Sequence, residues 1–304
     1  MKWIFRFILG TIIFATIGYT YWLFCIPLLQ TPLASQDQLL ERKNIQDQRF
    51  VSLDQPIFDS VFEADAFFDN DEPGIIISSS NISRFYPLMI LRVHKIINDD
   101  FMNEPLAITY NPLSHTTLVF KRPLSQSSDP FLFHPYSISN HNQLYFYDQQ
   151  TQSVWSQIEA RVIQGILSSQ TLELYPSELM TWKQFKAHHP NGQVLSYHTG
   201  FEYDYTQNPY REYISNNDIY FPLTNFDNRL FPKALIYGVN INGKTKAYTL
   251  EIIQKQKTIE ETFENEQILI SFDEEKQTVT SNQVLIPSFW FVWVDVYPQT
   301  LVYD

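Results

Sequence analysis

The sequence predicts a β-rich α+β protein: two related halves packed as one compact extracytoplasmic unit, preceded by one N-terminal transmembrane helix. Three observations predict it. A long apolar segment opens the chain, short strand-like runs between turn residues fill most of the rest, and one order of strand, turn, strand and aromatic helix occurs twice. Of the 304 residues, 44% are hydrophobic and 16% aromatic, enough for a packed core and too much for general disorder. The formal net charge of −12, with no basic run after the N-terminus, excludes nucleic acid as a partner, because phosphate binding needs a concentrated basic footprint.

Lys2 and Arg6 precede an apolar run over residues 7–29, and no charge follows until Asp37. At 1.5 Å per helical residue that run reaches roughly 34 Å, enough to cross a hydrocarbon core of about 30 Å. A cleaved signal peptide is the competing reading, but its apolar region is normally only about 7–15 residues. The expected layout is an uncleaved anchor over 1–30, a polar tether over 31–50 and an extracytoplasmic domain over 51–304, with internal halves 51–200 and 201–304. Basic residues ahead of the span place the N-terminus in the cytoplasm. The expected location is a cytoplasmic (inner) membrane, crossed once, with the domain on its periplasmic or extracytoplasmic side. The only cysteine, Cys25, lies in the span, so the domain has no disulfide.

Within the domain, GIIISSS (74–80) reads as a buried strand. Pro87 then suits a first helical position, with Ile90, Val93, His94 and Ile97 on one face. LAITY (106–110), TTLVF (116–120) and QLYFYD (143–148) read as strands, as do RVIQGIL (161–167) and TLELY (171–175). WKQFKAHH (182–189) is a short helix stopped by Pro190. Residues 234–250 form a hairpin around Asn242-Gly243, the preferred pair for a type I′ turn. QILISF and QTVTS flank the turn DEEK (273–276). FWFVWV (289–294) is too apolar for a solvated face and belongs in a core. The repeat sets PGIIISSSNISRFYPL (73–88) beside KALIYGVNINGKTKAYTL (233–250). Further on, Trp182-Phe185-Pro190-Val194-Leu195 is matched with Trp293-Val296-Pro298-Leu301-Val302.

Seven segments, from NDEPGIIISSSNISRFYPLMILRVHKIIND through LAITYNPLSHTTLVF, LYFYDQQTQSVWSQ, TWKQFKAHHP, TGFEYDYTQNPY and FPKALIYGVNINGKTKAY to FWFVWVDVYPQT, resemble in order the domain-of-unknown-function family 3179. The resemblance covers about residues 50–304. It implies an exported or membrane-attached domain and no particular reaction. It also implies a Tyr-Cys-Pro-Leu-Cys motif where this chain has TYNPLSH, with Asn111 and Ser114 at the two cysteine positions. Paired thiols close a disulfide or bind a soft metal, whereas asparagine and serine do neither. Val93, Lys95 and Tyr203 stand where the family pattern has Trp, an acidic residue and Arg. Trp155-Ser156-Gln157, Thr199-Gly200, Asp204 and Tyr205 are retained.

The candidate pocket is therefore His94, Asn111, Ser114, His115 and Trp155. Each member has a plainer reading. His94 on an apolar helix face is more often a hydrogen-bonded core histidine than a ligand. Asn-Pro and Ser are ordinary turn formers. Adjacent Ser114 and His115 make a poor nucleophile–base pair, and Glu202 with Asp204 sits in an aromatic surface rather than an acid–base dyad. No metal is expected; the alternative is a three-imidazole site of His94 and His115 with His141 or His134. No cofactor is expected either. The functional expectation is a membrane-tethered binding or assembly protein with a protein partner and no working thiol site. The alternative is an enzyme or metal-binding protein using the pocket around residues 94 and 111–115.

Overall fold

The computed structural model describes residues 50–80, 82–136 and 142–304. The expected anchor (1–30) and all but the last residue of the expected tether lie outside them. Among the described residues, no helix is long and apolar enough to cross a membrane, and all of them fall within one compact unit.

The described chain begins with β1 (Phe58–Ser60) and a short helix α1 (Val61–Ala64). A hairpin follows, β2 (Pro73–Ser78) and β3 (Ser83–Pro87), running directly into α2 (Leu88–His94) and then a three-stranded meander of β4 (Ile96–Phe101), β5 (Glu104–Asn111) and β6 (Thr116–Lys121). Pro87 caps α2 from the end of β3 rather than opening the helix, and α2 stops short of Ile97. Lys95 adopts φ +65° and gives its N–H to the Leu91 carbonyl, which turns the chain out of the helix and leaves Ile96 and Ile97 to β4.

Next come β7 (Phe133–Tyr136), β8 (Tyr145–Asp148), β9 (Val154–Ser156) and β10 (Arg161–Gln164), an antiparallel sheet of their own. β11 (Glu178–Thr181), α3 (Trp182–His188) and β12 (Gln193–Leu195) return to the first sheet. TLELY is not a regular strand; it lies as an extended segment against β6, bridging Phe120 through Leu174.

After α4 (Arg211–Ser215) the first arrangement recurs. β13 (Leu235–Ile241), β14 (Lys244–Thr249), α5 (Leu250–Gln256), β15 (Thr258–Phe263), β16 (Glu266–Asp273) and β17 (Thr278–Ser281) repeat β2 through β6. β18 (Ile286–Phe289), α6 (Trp290–Val296) and β19 (Leu301–Val302) repeat β11, α3 and β12. The β13–β14 turn has Asn242 at φ +52° and Gly243 at φ +82°, the two left-handed residues a type I′ turn requires.

The sheets carry the same match. Apart from β1, the first has the order β12-β3-β2-β11 and the other β19-β14-β13-β18. The β3–β12 and β14–β19 pairs are both parallel and the other pairs antiparallel. The shared helix start corrects the sequence match by one turn. Thr181 and Phe289 are the cap residues, so Trp182 corresponds to Trp290 and Phe185 to Trp293. All four are buried, as are Phe291, Val292 and Val294 of the FWFVWV run. Each part has its own apolar core. Ile75, Phe85, Ile108, Trp182 and Phe185 belong to the first, and Tyr248, Ile253, Ile259 and Ile270 to the second.

Candidate functional site

The TYNPLSH turn joins β5 to β6 and is built into the protein on every side. Asn111 Oδ1 accepts the Leu113 N–H (3.2 Å), an ordinary Asx turn, while its Nδ2 donates to the Asn142 carbonyl (2.8 Å). The Leu113 carbonyl accepts the Tyr213 hydroxyl (2.8 Å), and the Ser114 carbonyl accepts the Phe289 N–H of β18 (2.7 Å). Gln157 Nε2 donates to Thr109 Oγ1 (2.8 Å) and to the Thr116 carbonyl (3.2 Å). Buried backbone groups at a turn must find partners; here they come from β18, α4 and the segment around Gln157. The turn therefore works as a structural junction. Ser114 Oγ reaches only the Asn111 carbonyl, at 3.5 Å, and no hydrogen bond joins it to His115.

His94 and Trp155 sit in other side-chain clusters. His94 Nδ1 contacts the Val51 carbonyl and Nε2 the Tyr205 hydroxyl, each at 2.6 Å. A carbonyl can only accept, so the proton is assigned to Nδ1 and Nε2 accepts from Tyr205. The Tyr205 oxygen in turn lies 2.6 Å from Thr199 Oγ1. Burial among Phe201, Tyr203 and Tyr205 lowers the His94 pKa to about 4, which keeps the ring neutral. Both nitrogens are committed, so His94 offers no donor to a metal. Trp155 Nε1 donates to Asp148 Oδ2 (3.0 Å), and its ring meets Phe133 edge-on. His134 Nδ1 is bonded to Ser52 Oγ (2.7 Å), and His141 lies outside the described residues. Among the described residues, no group of three or more His, Cys, Asp or Glu is arranged to hold a metal. Of the five pocket residues, only Asn111, Ser114 and His115 come together.

His115 is the member that meets open space. It sits at φ +55°, stacks on Phe289 (5.3 Å, 15°) and lines a groove of about 570 Å³ between the two matching parts. Burial lowers its pKa to about 4, and its buried Nδ1 has no hydrogen-bond partner among the described residues. Thr278 Oγ1, also in the groove wall, is another buried polar atom without a partner. β6, the 174–179 stretch and β17 with its continuation to residue 285 form much of the groove's walls. Glu178 is its one carboxylate, and it has no Lys or Arg.

One wall is a sheet edge without a backbone partner among the described residues. In the first part the outer side of β6 is covered: Lys121 N–H donates to the Glu173 carbonyl (2.9 Å), and Tyr175 N–H donates to the Val119 carbonyl (2.8 Å). In the second part β17 passes to β18 with no segment to spare, and β17 is the outer strand of its sheet. Asn282 N–H donates inward to the Leu269 carbonyl, so by the alternation of an antiparallel ladder Val279 and Ser281 turn their backbone groups outward. The described backbone makes no pairing there like the one on β6. Natural edge strands are usually blunted by charge, proline or a bulge; Thr278-Val279-Thr280-Ser281 has no charge and no proline, and its register is regular. In the sequence QTVTS reads only as a strand beside a turn. An uncharged β-prone run was visible, but its open side depends on which strands pair.

Fold and groove together define a β-rich scaffold of two matching parts, one of them with an edge that no described backbone pairs. The profile of the family described as "Protein of unknown function (DUF3179)" matches residues 49–286, and the chain belongs to that family. Comparison with curated proteins and with solved structures gave no match.

Proposed function

We propose that the chain is a membrane-tethered extracytoplasmic binding protein that holds an extended segment of a partner protein along β17, in the groove beside His115. The anchor over residues 1–30 and the tether after it are part of this reading; they would keep the groove near the membrane. The observation that carries it is the uncovered edge of β17, whose counterpart β6 is already covered by residues 173–175 of the same chain. Strand addition gives affinity through main-chain hydrogen bonds, and side-chain pockets along the groove give selectivity. The nearly uncharged lining suits an uncharged partner segment, which would lie beside the His115 ring stacked on Phe289.

The test uses the full-length chain, extracted from its membrane in mild detergent and sized with its partners still bound. Wild type should run above its own mass. Val279→Pro removes an N–H that the β16–β17 ladder does not use, so it should keep its melting temperature yet run alone. A Val279→Pro chain that stays in the complex, or a wild-type chain that always runs alone, would contradict the proposal.

A further inference from the structure

A second site, independent of the groove, is marked by the arginines. Six arginines lie among the described residues, and Arg84, Arg122, Arg161 and Arg229 are ion-paired. Arg92 and Arg211 have no ion pair there, and both line a cleft of about 430 Å³. This volume is at the low end of small-molecule sites, roughly 300–1,000 Å³. Arg92 Nη2 donates to the Tyr205 carbonyl (2.8 Å), while its Nε is buried with no partner among the described residues. Burial lowers the Arg92 pKa; the nearby Glu72 carboxylate opposes that shift and the Arg211 charge adds to it. Neither guanidinium is bonded directly to a carboxylate among the described residues, so forked donors stay unused, and such forks match a carboxylate bidentately.

The rest of the lining narrows the ligand. Asp65 is engaged by Lys186 and the Trp182 Nε1–H, and Glu72 Oε1 accepts the Met89 N–H (2.7 Å). Asp69 also lines the cleft and makes no side-chain hydrogen bond among the described residues. A simple anion would face Asp69 and Glu72 as well as the arginines. A ligand with a carboxylate at one end and an ammonium close to it satisfies both sides. The geometry points to a binding site for a small dipolar ion of the amino-acid type, with its carboxylate on Arg92 and Arg211 and its ammonium toward Asp69.

The experiment is calorimetry on the full-length chain in detergent, titrated with each of the twenty common amino acids, then with propionate and inorganic phosphate. At least one amino acid should bind. Arg211→Gln, an exposed change that should not alter the melting temperature, should weaken it by roughly tenfold or more. Asp69→Asn should weaken the amino acid while leaving propionate unchanged or tighter. Absence of binding by all twenty, propionate or phosphate binding as tightly as the best amino acid, or an affinity indifferent to Arg211→Gln would each overturn the assignment.

Discussion

The two matching parts solve the same folding problem with different atoms. In the first, Asp99 Oδ2 accepts from Arg84 Nη1 and from the Tyr86 hydroxyl, each at 2.6 Å. In the second, Glu261 accepts from Lys246 Nζ (2.6 Å) and from the Tyr248 hydroxyl. Each second-part residue follows its counterpart at the same offset along the chain, 84 to 246, 86 to 248 and 99 to 261, and so do the left-handed pairs Lys95 and Lys257, Asn103 and Asn265, His115 and Gln277. The turns have diverged. Asp273 Oδ1 accepts the Glu275 and Lys276 N–H groups in an exposed turn, whereas the equivalent Asn111 turn is buried and bonded to three distant segments. Features found in both parts serve folding. Those found in one part, the covered edge of β6 against the unpaired edge of β17, are the ones our proposal assigns to binding.

If the shared features serve folding, Trp182→Ala and Trp290→Ala should be costly alike. Both rings are fully buried, so each should lose roughly 3–5 kcal/mol in urea unfolding; a large loss for one alone would break the equivalence. The carboxylates come next and should differ. The Asp99 side chain is 5% exposed and that of Glu261 19%. Asp99→Asn leaves the Arg84 guanidinium without its counter-charge and should cost roughly 3 kcal/mol, while Glu261→Gln should cost about 1 kcal/mol, because the wetter pair is better screened.

Acid should separate the parts further. All seven histidines lie between residues 94 and 198, so the second part has none. His94 and His115 have folded-state pKa values lowered to about 4 by burial, against an ordinary 6.5. Below pH 6.5 the unfolded chain therefore binds protons that the folded chain refuses, and stability falls as pH drops from about 6.5 to about 4. The loss is at most roughly 3 kcal/mol per histidine. Amides of β4–β6 should lose hydrogen-exchange protection at pH 4.5 before those of β15–β17; equal loss would contradict this. The two turns should differ as well. Asn111→Ala should cost about 2 kcal/mol because it leaves the buried Asn142 carbonyl without its donor. Asp273→Ala, in an exposed turn, should cost about 0.5 kcal/mol or less.

Much of this architecture was legible in the sequence where local chemistry decides it. Asn242-Gly243 specified its turn, the SRFY and TKAY steps marked the repeated hairpin, and the FWFVWV run could only be buried. Helix ends were less legible: nothing in HKII says that Lys95 will take a left-handed conformation and end α2. The aromatic helices were matched one turn out of register because Trp182 has two candidate partners, Trp290 and Trp293, and only strand pairing chooses between them. The pocket was partly legible. Asn111, Ser114 and His115 follow one another in sequence and had to be neighbours, but the distances from His94 and Trp155 depend on how separate sheets pack. Arg92 with Arg211, and the bare side of β17, arise from long-range placement and leave no local signal.

β17 offers an edge which β6 does not, and we propose that a partner strand fills it. Hydrogen exchange at single-amide resolution tests it most directly, on the full-length chain alone and in its native complex. The Lys121 amide, bonded to the Glu173 carbonyl, should exchange slowly in both states. The Val279 and Ser281 amides should exchange fast in the chain alone and slowly in the complex. Protection of Val279 and Ser281 in the chain alone, or the same fast exchange in both states, would contradict the account.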